Sequence, residues 1–340
     1  VAGAAFRRPL PEEPRASARP VDAESYRLTL KGWHELLTAQ NQKAAARLFD
    51  QATRLDPTNA RAWAGISSTW AAAAVTWGMP FEEGAALAEA AASRAIALDS
   101  LQATALANLG ILRGLRDRDL AEGARFLARA AAAEPGNPEI YLIEAALYRH
   151  AWQWDRARDA IRIARQLDPL SALYVEREGN VALCADQPDR AVQLYGEALR
   201  LDASAPGVRD GMARALARLG RWDEALATLR AAGDEDGHNA PAPPAARGEA
   251  GYWRYRAALA RPALAALLAE GRRGWISRAR LGTLYVAVGE TDRGLDLLEA
   301  EARAGDIGIL RLPCQPDVDR VRRLPRFHAL LELVSRSLPR

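Results

Sequence analysis

Catalysis or metal binding would need histidine, cysteine, serine or carboxylate side chains at spacings that let them converge. The four histidines stand at 34, 150, 238 and 328 and the two cysteines at 184 and 314. Nothing in these separations forms a C-x-x-C or H-E-x-x-H pair, so no metal ligand cluster, no disulfide framework and no cofactor are expected. Ser67 and Ser68 fall in a helical stretch without a G-x-S-x-G elbow, and no glycine-rich phosphate loop is present. Asp317 and Asp319 stand beside Arg320 and Arg322, which reads as a local charge network rather than an acid–base pair. The chain is expected not to be an enzyme.

Binding chemistry has better support. Read on helical spacing, His34, Asn108, Arg149, Arg177, Asn180, Asp210 and Arg214 fall on the inward side of successive helices. Arginine and asparagine there can hold a peptide backbone or a carboxylate through directed hydrogen bonds. Arg177, Asn180 and Arg214 form the central set. Trp77 and Phe81, with Trp70 and Met79 around Gly78-Pro80, form a second candidate patch. The expected structural role of that patch is the packed tip of an elongated helix pair.

The elements that must carry these residues repeat. Leu55-Asp56-Pro57 returns as Leu98-Asp99-Ser100, Ala133-Glu134-Pro135, Leu167-Asp168-Pro169 and Leu201-Asp202-Ala203. From Asp99 onward the acidic positions advance by 35, 34 and 34 residues; the first step, from Asp56, is 43, so the second unit is enlarged. Small residues recur in phase, Ala157 with Ala164 and Ala191 with Ala198, on one helical face. Proline follows the acidic residue where a helix must end. A single hairpin cannot bury its apolar face, so neighbours must stack.

Period and filled positions resemble the tetratricopeptide repeat family. The resemblance runs over residues 26–239, with a further unit at 275–308 marked by Leu281-Gly282, Tyr285 and Gly294. It implies an all-α, right-handed superhelical solenoid that binds a protein or peptide in its concave groove. The ending, with Val321-Arg322 and Pro325-Arg326-Phe327, resembles the close of tetratricopeptide regions in bacterial signalling and regulatory proteins. That likeness implies the regulatory part of a larger signalling protein, an expectation that the opening Val1 also suggests. No cyclase, kinase or DNA-binding domain is carried over with it.

The expected organisation is a flexible linker at 1–21, an array at 22–239, degenerate hairpins with one further unit at 240–310, and a basic capping tail with a terminal helix at 311–340. Residues 233–249 read as a Gly/Pro-rich loop. A helix from about Ala250 is expected to bend or restart at Arg261-Pro262. No apolar run is long enough for a membrane span, and a cytoplasmic location is expected. The formal net charge of +3 permits an anionic partner without requiring one. The main expectation is a scaffold for an unidentified protein or peptide. Self-association is one alternative, and an anionic or nucleic-acid partner for the arginine-rich tail is the other, disfavoured because no aromatic residues interleave with its arginines.

Overall fold

The computed structural model describes residues 20–37, 41–76, 78–235, 247–272 and 274–339. Most of the expected linker, most of the 233–249 loop and Trp77 lie outside these residues. Among the described residues every regular element is a helix. Six antiparallel hairpins come first: α1 (Ala23–Leu37) with α2 (Gln42–Leu55), α3 (Ala60–Val75) with α4 (Phe81–Leu98), α5 (Ala103–Arg116) with α6 (Leu120–Ala133), α7 (Pro138–His150) with α8 (Trp154–Leu167), α9 (Ala172–Cys184) with α10 (Pro188–Leu201), and α11 (Val208–Arg218) with α12 (Trp222–Glu235). One long helix, α13 (Gly248–Gly271), leads to the hairpin α14 (Arg278–Val288) and α15 (Thr291–Ala304). Two 3-10 segments, Ile307–Cys314 and Pro316–Val321, precede the terminal helix α16 (Pro325–Ser335). Each hairpin packs on the next, which makes a stacked superhelical solenoid.

The recurring acidic residue has a local physical job. Asp56, Asp99, Glu134, Asp168 and Asp202 each cap the C-terminus of a second helix. The carboxylates of Asp56, Asp99 and Asp202 also accept the backbone N–H two residues on, at 2.9, 3.1 and 2.8 Å. One residue type thus ends a helix and folds the turn into the next hairpin.

Close helix approach follows from glycine facing an aromatic ring. The Tyr195 ring is fully buried. A Cβ placed on Gly179 would lie 2.9 Å from it, and one on Gly211 in the next hairpin 2.6 Å. Phe49 sits in the same way between Gly32 and Gly65. The ring fills the space that the missing side chains leave, and so it welds one hairpin to the next.

Two expectations are corrected. Pro262 does not break α13, which runs unbroken through it. The proline cannot donate to the Ala258 carbonyl, but α13 packs against α12 and α14, and these contacts sustain one helix across the missing bond, so no restart occurs there. In the second unit α3 has 16 residues and α4 has 18.

The second correction concerns the tail. It does not simply cover the end of the stack. It turns back along the inner side of the repeats. Arg118 Nη2 donates to the Gly305 carbonyl at 2.9 Å, Trp152 Nε1 to Leu310 at 2.7 Å, and Arg214 Nη2 to Cys314 at 2.9 Å. Ile309, Leu310 and Leu312 share one apolar core with Leu112, Leu115, Ile140 and Leu147. Cys184 of α9 and Cys314 of the tail form a disulfide across 130 residues of sequence. No spacing rule could show this pairing, because only the returning tail brings the two thiols together.

Asp319 is the polar centre of this docking. It accepts from Arg214 Nε at 3.1 Å, Arg218 Nη2 at 2.6 Å and Arg322 Nε at 3.3 Å. The side chains of Arg214, Arg218 and Asp319 are each less than a tenth exposed. Burial alone pushes the Asp319 carboxyl up, but Arg218, Arg214 and Arg322 together outweigh it and hold it well below the usual carboxylate range. Carbonyls take up other N–H groups, Leu183 for Arg218 and Pro313 for Arg322, both at 2.5 Å.

Removing the carboxylate strands these guanidinium groups in a buried site. Asp319→Ala should therefore cost about 3–5 kcal/mol, read as a loss of urea resistance. Gly211→Ala should cost about 1–3 kcal/mol, because the Tyr195 ring has no room to retreat; a lowered melting temperature with unchanged helicity checks it.

Candidate functional site

The first helices of the hairpins line the inner wall of the stack, and the returning tail closes part of it. Between them lies a hollow of about 550 Å³. α1 supplies Trp33, Leu36 and Leu37 to its wall, α3 supplies Ser68, Ala72 and Val75, and α5 supplies Asn108 and Ile111. Leu142, Ile143 and Arg149 come from α7, and Arg177 and Asn180 from α9. The tail adds Arg311, Cys314 and Pro316. Helical periodicity explains the selection: these residues recur three and four apart on the inner faces.

The structure brings Asn108, Arg149, Arg177, Asn180 and Arg214 to this one hollow. Their surroundings differ. The Asn108 amide is buried and donates to Ser67 Oγ at 3.2 Å and Ser68 Oγ at 2.9 Å. Arg177 pairs with Glu176 at 3.3 Å. Asn180 donates to the same carboxylate at 2.5 Å and accepts the Tyr195 hydroxyl at 2.7 Å. Arg214 donates to Asp319 and to the Cys314 carbonyl, which fastens α11 to the tail.

The remaining candidates lie elsewhere. His34 is exposed on α1. Asp210 accepts from Arg256 Nη1 of α13 at 2.6 Å and does not line the hollow. Phe81 opens α4 and packs partly buried against the main core, as a hairpin-tip residue should.

Sequence reasoning missed the apolar wall of Trp33, Leu142 and Ile143. The signal was present: Trp33 is next to His34, and Leu142 and Ile143 lie about two helical turns before Arg149. It also missed that Arg311 shares a cavity with Arg149, a consequence of the tail's return that no local pattern encodes.

Burial shapes the titration of the site. Arg149 is pushed down to about 10, first by burial and then by the charge of Arg177, with Glu176 opposing. Arg311 is pushed down to about 9 by burial and then by Arg149, Arg280 and Arg177. Burial pushes Glu139 up to about 7, with Arg61 pulling the other way. His150, beneath the same wall, is pushed down to about 3 by burial and by Arg149. Its Nδ1 lies 2.7 Å from the Ala146 carbonyl, so the neutral ring carries its proton there.

The chain has tetratricopeptide-like helical repeats. The tetratricopeptide repeat family profile matches residues 182–243, from the end of α9 past α12. Among solved structures it is similar to PilW, a type IV pilus biogenesis factor, at 14% identity over 64% of this chain and 96% of that one, with a TM-score of 0.45. It is similar to MamA at 17% identity over 51% of this chain and 92% of that one, TM-score 0.37. Human IFIT1, solved as a dimer with m7Gppp-AAAA, matches at 15% identity over 91% of this chain and 72% of that one, TM-score 0.49. No curated protein matches the sequence. Among the described residues there is no cluster of metal-ligating side chains and no helix long and apolar enough to cross a membrane.

The histidine gives a pH test with a definite sign. His150 binds a proton below about 6.5 when unfolded and only below about 3 when folded. Its contribution to stability is therefore complete above 6.5 and declines as pH falls through that window, by at most about 1.4 kcal/mol per pH unit. His150→Gln should flatten this part of the stability–pH curve, measured by urea unfolding from pH 7 to pH 4.

Proposed function

We propose that this chain is a non-enzymatic interaction module that holds a protein or peptide partner against the inner wall of its first five hairpins. The observation that carries the reading is the composition of that wall. Trp33, Leu36, Leu37, Leu142 and Ile143 give apolar area, and Ser68, Asn108 and Arg177 stand among them as polar groups with fixed partners or positions. An apolar surface with a few placed polar groups is how proteins recognise extended segments. In this reading the module serves as the interaction part of a larger signalling protein.

Two arginines of the tail are withdrawn from any nucleic-acid reading. Arg322 is bound to Asp319 and the Pro313 carbonyl, and Arg326 to Glu299, Asp296 and Asp292. These two cations are matched within the chain, which leaves the exposed Arg320 and Arg323 of the tail open to phosphates. A cytoplasmic location would keep Cys184 and Cys314 reduced, whereas an oxidising compartment would preserve their bond.

The test is capture from the source cell on the purified chain, beside the same chain carrying Arg177→Ala and Leu142→Asp. A protein retained by the parent and reduced at least about tenfold on the variant, with helicity unchanged, is the expected result. Equal retention by both would place recognition outside the hollow and defeat the reading.

A further inference from the structure

Both cysteines line the hollow. Cys184 ends α9 and is buried, while Cys314 ends the first 3-10 segment of the tail and is half-buried. Their bond therefore ties the stretch of tail that walls the hollow to the repeats beside it. A hollow of about 550 Å³ has room for a small thiol next to that bond.

Three arginines hold the backbone on both sides of the bond. Arg218 donates to the carbonyl of Leu183, Arg322 to that of Pro313 and Arg214 to that of Cys314. Each of these arginines also bonds to Asp319. One carboxylate thus positions both cysteines, and it does so whether or not the sulfurs are joined. Thiols kept side by side in this way re-form their bond readily after reduction.

Without the bond, the first 3-10 segment is held to the repeats by non-covalent contacts. Ile309, Leu310 and Leu312 lie in the shared core, and Trp152 and Arg214 donate to its carbonyls. Such contacts open and close locally, and a 3-10 segment adds little resistance because its own hydrogen bonds are poorly aligned. The cross-link removes every state in which Cys314 has left α9.

We propose that Cys184 and Cys314 form a reversible redox latch. Joined, they lock the first 3-10 segment over the hollow; reduced, they let that segment lift and uncover the inner wall of α7 and α9. The reductant is a small thiol. Its thiolate bonds to Sγ of the more accessible Cys314, and the Cys184 sulfur leaves with the electron pair and takes a proton. A second thiolate then displaces the first as an external disulfide, and the Cys314 sulfur takes a proton in turn. The protein gains two electrons and two protons, and a small disulfide reverses the sequence. The proposal goes beyond the partner reading and does not depend on it, since the quantity at issue is the opening of the tail.

The full chain is oxidised until the bond is complete, then divided, and one half is treated with dithiothreitol. Amide exchange in both halves is followed by mass spectrometry. Exchange over Ile307–Cys314 is expected to be at least about tenfold faster in the reduced half, with exchange in α2 of the first hairpin unchanged. Transfer of the reduced protein to glutathione disulfide should restore both the bond and the slow exchange. Cys314→Ser should exchange as the reduced parent does, with or without dithiothreitol; if that variant fails to fold, Cys184→Ser carries the same test. A bond that does not form, or that resists dithiothreitol in the folded chain, would overturn the proposal. So would a smaller change over Ile307–Cys314, or a rise in α2 as large as in the tail, which marks a plain loss of stability. Failure of glutathione disulfide to restore slow exchange, or a variant that still responds to dithiothreitol, would overturn it as well.

Discussion

Asp319 places one negative charge among Arg214, Arg218 and Arg322 in a site with almost no access to water. On this arrangement the rest of the structure depends. A lone buried carboxylate costs several kcal/mol, and so do two buried guanidinium groups; together, with carbonyls taking the remaining N–H groups, they satisfy each other. The network fixes the second 3-10 segment against α11. That in turn sets the path of Ile307–Cys314 past α5, α7 and α9, where Leu310 and Leu312 enter the repeat core. A solenoid that is held at its inner face by its own tail is stiffer than an open one, because a change of curvature must break buried contacts.

The hairpin turns take part in the same closure. Arg118, Trp152 and Asp186 occupy left-handed backbone positions, with φ of 54°, 56° and 58°, at steps of 34 residues; Gly220 holds the next one in phase. Only glycine adopts that conformation freely, and other residues pay roughly 1–2 kcal/mol. The three non-glycine side chains all serve the tail. Arg118 and Trp152 bond to it directly, and Asp186 meets Arg218, which bonds to Asp319. Local strain is thus tolerated where a side chain, rather than a bare turn, is needed. The closure also creates the hollow, since the tail walls one side of it and adds Arg311 to the arginines of α7 and α9.

The repeat was legible in the sequence because its causes are local. An acidic residue that ends a helix, a proline that cannot continue one, and small residues facing a ring leave marks at fixed spacing. Those marks located the stacked hairpins and the inward placement of Asn108, Arg149, Arg177 and Asn180. What was not legible depends on contacts between residues far apart. Arg214 looked like a groove residue, and its helix face was read as inward; that its partner is Asp319, 105 residues later, follows only from the tail's return. Cys184 and Cys314 looked unrelated for the same reason. Pro262 looked like a break because proline lacks its own helical hydrogen bond, while the packing on both sides of α13 that overrides this is tertiary.

The return of the tail is most directly tested by cross-link mapping in the folded chain. The protein is treated with a mild disulfide-forming oxidant, its free thiols are alkylated under native conditions, and a non-reducing digest is analysed by mass spectrometry. A tail seated against α9 places Cys184 beside Cys314, so the predicted product is a single peptide pair joined through these two residues in near-complete yield. Rapid alkylation of both thiols under the same oxidising conditions, or cross-links only between chains, would show a tail that does not lie in the concave face and would contradict the account.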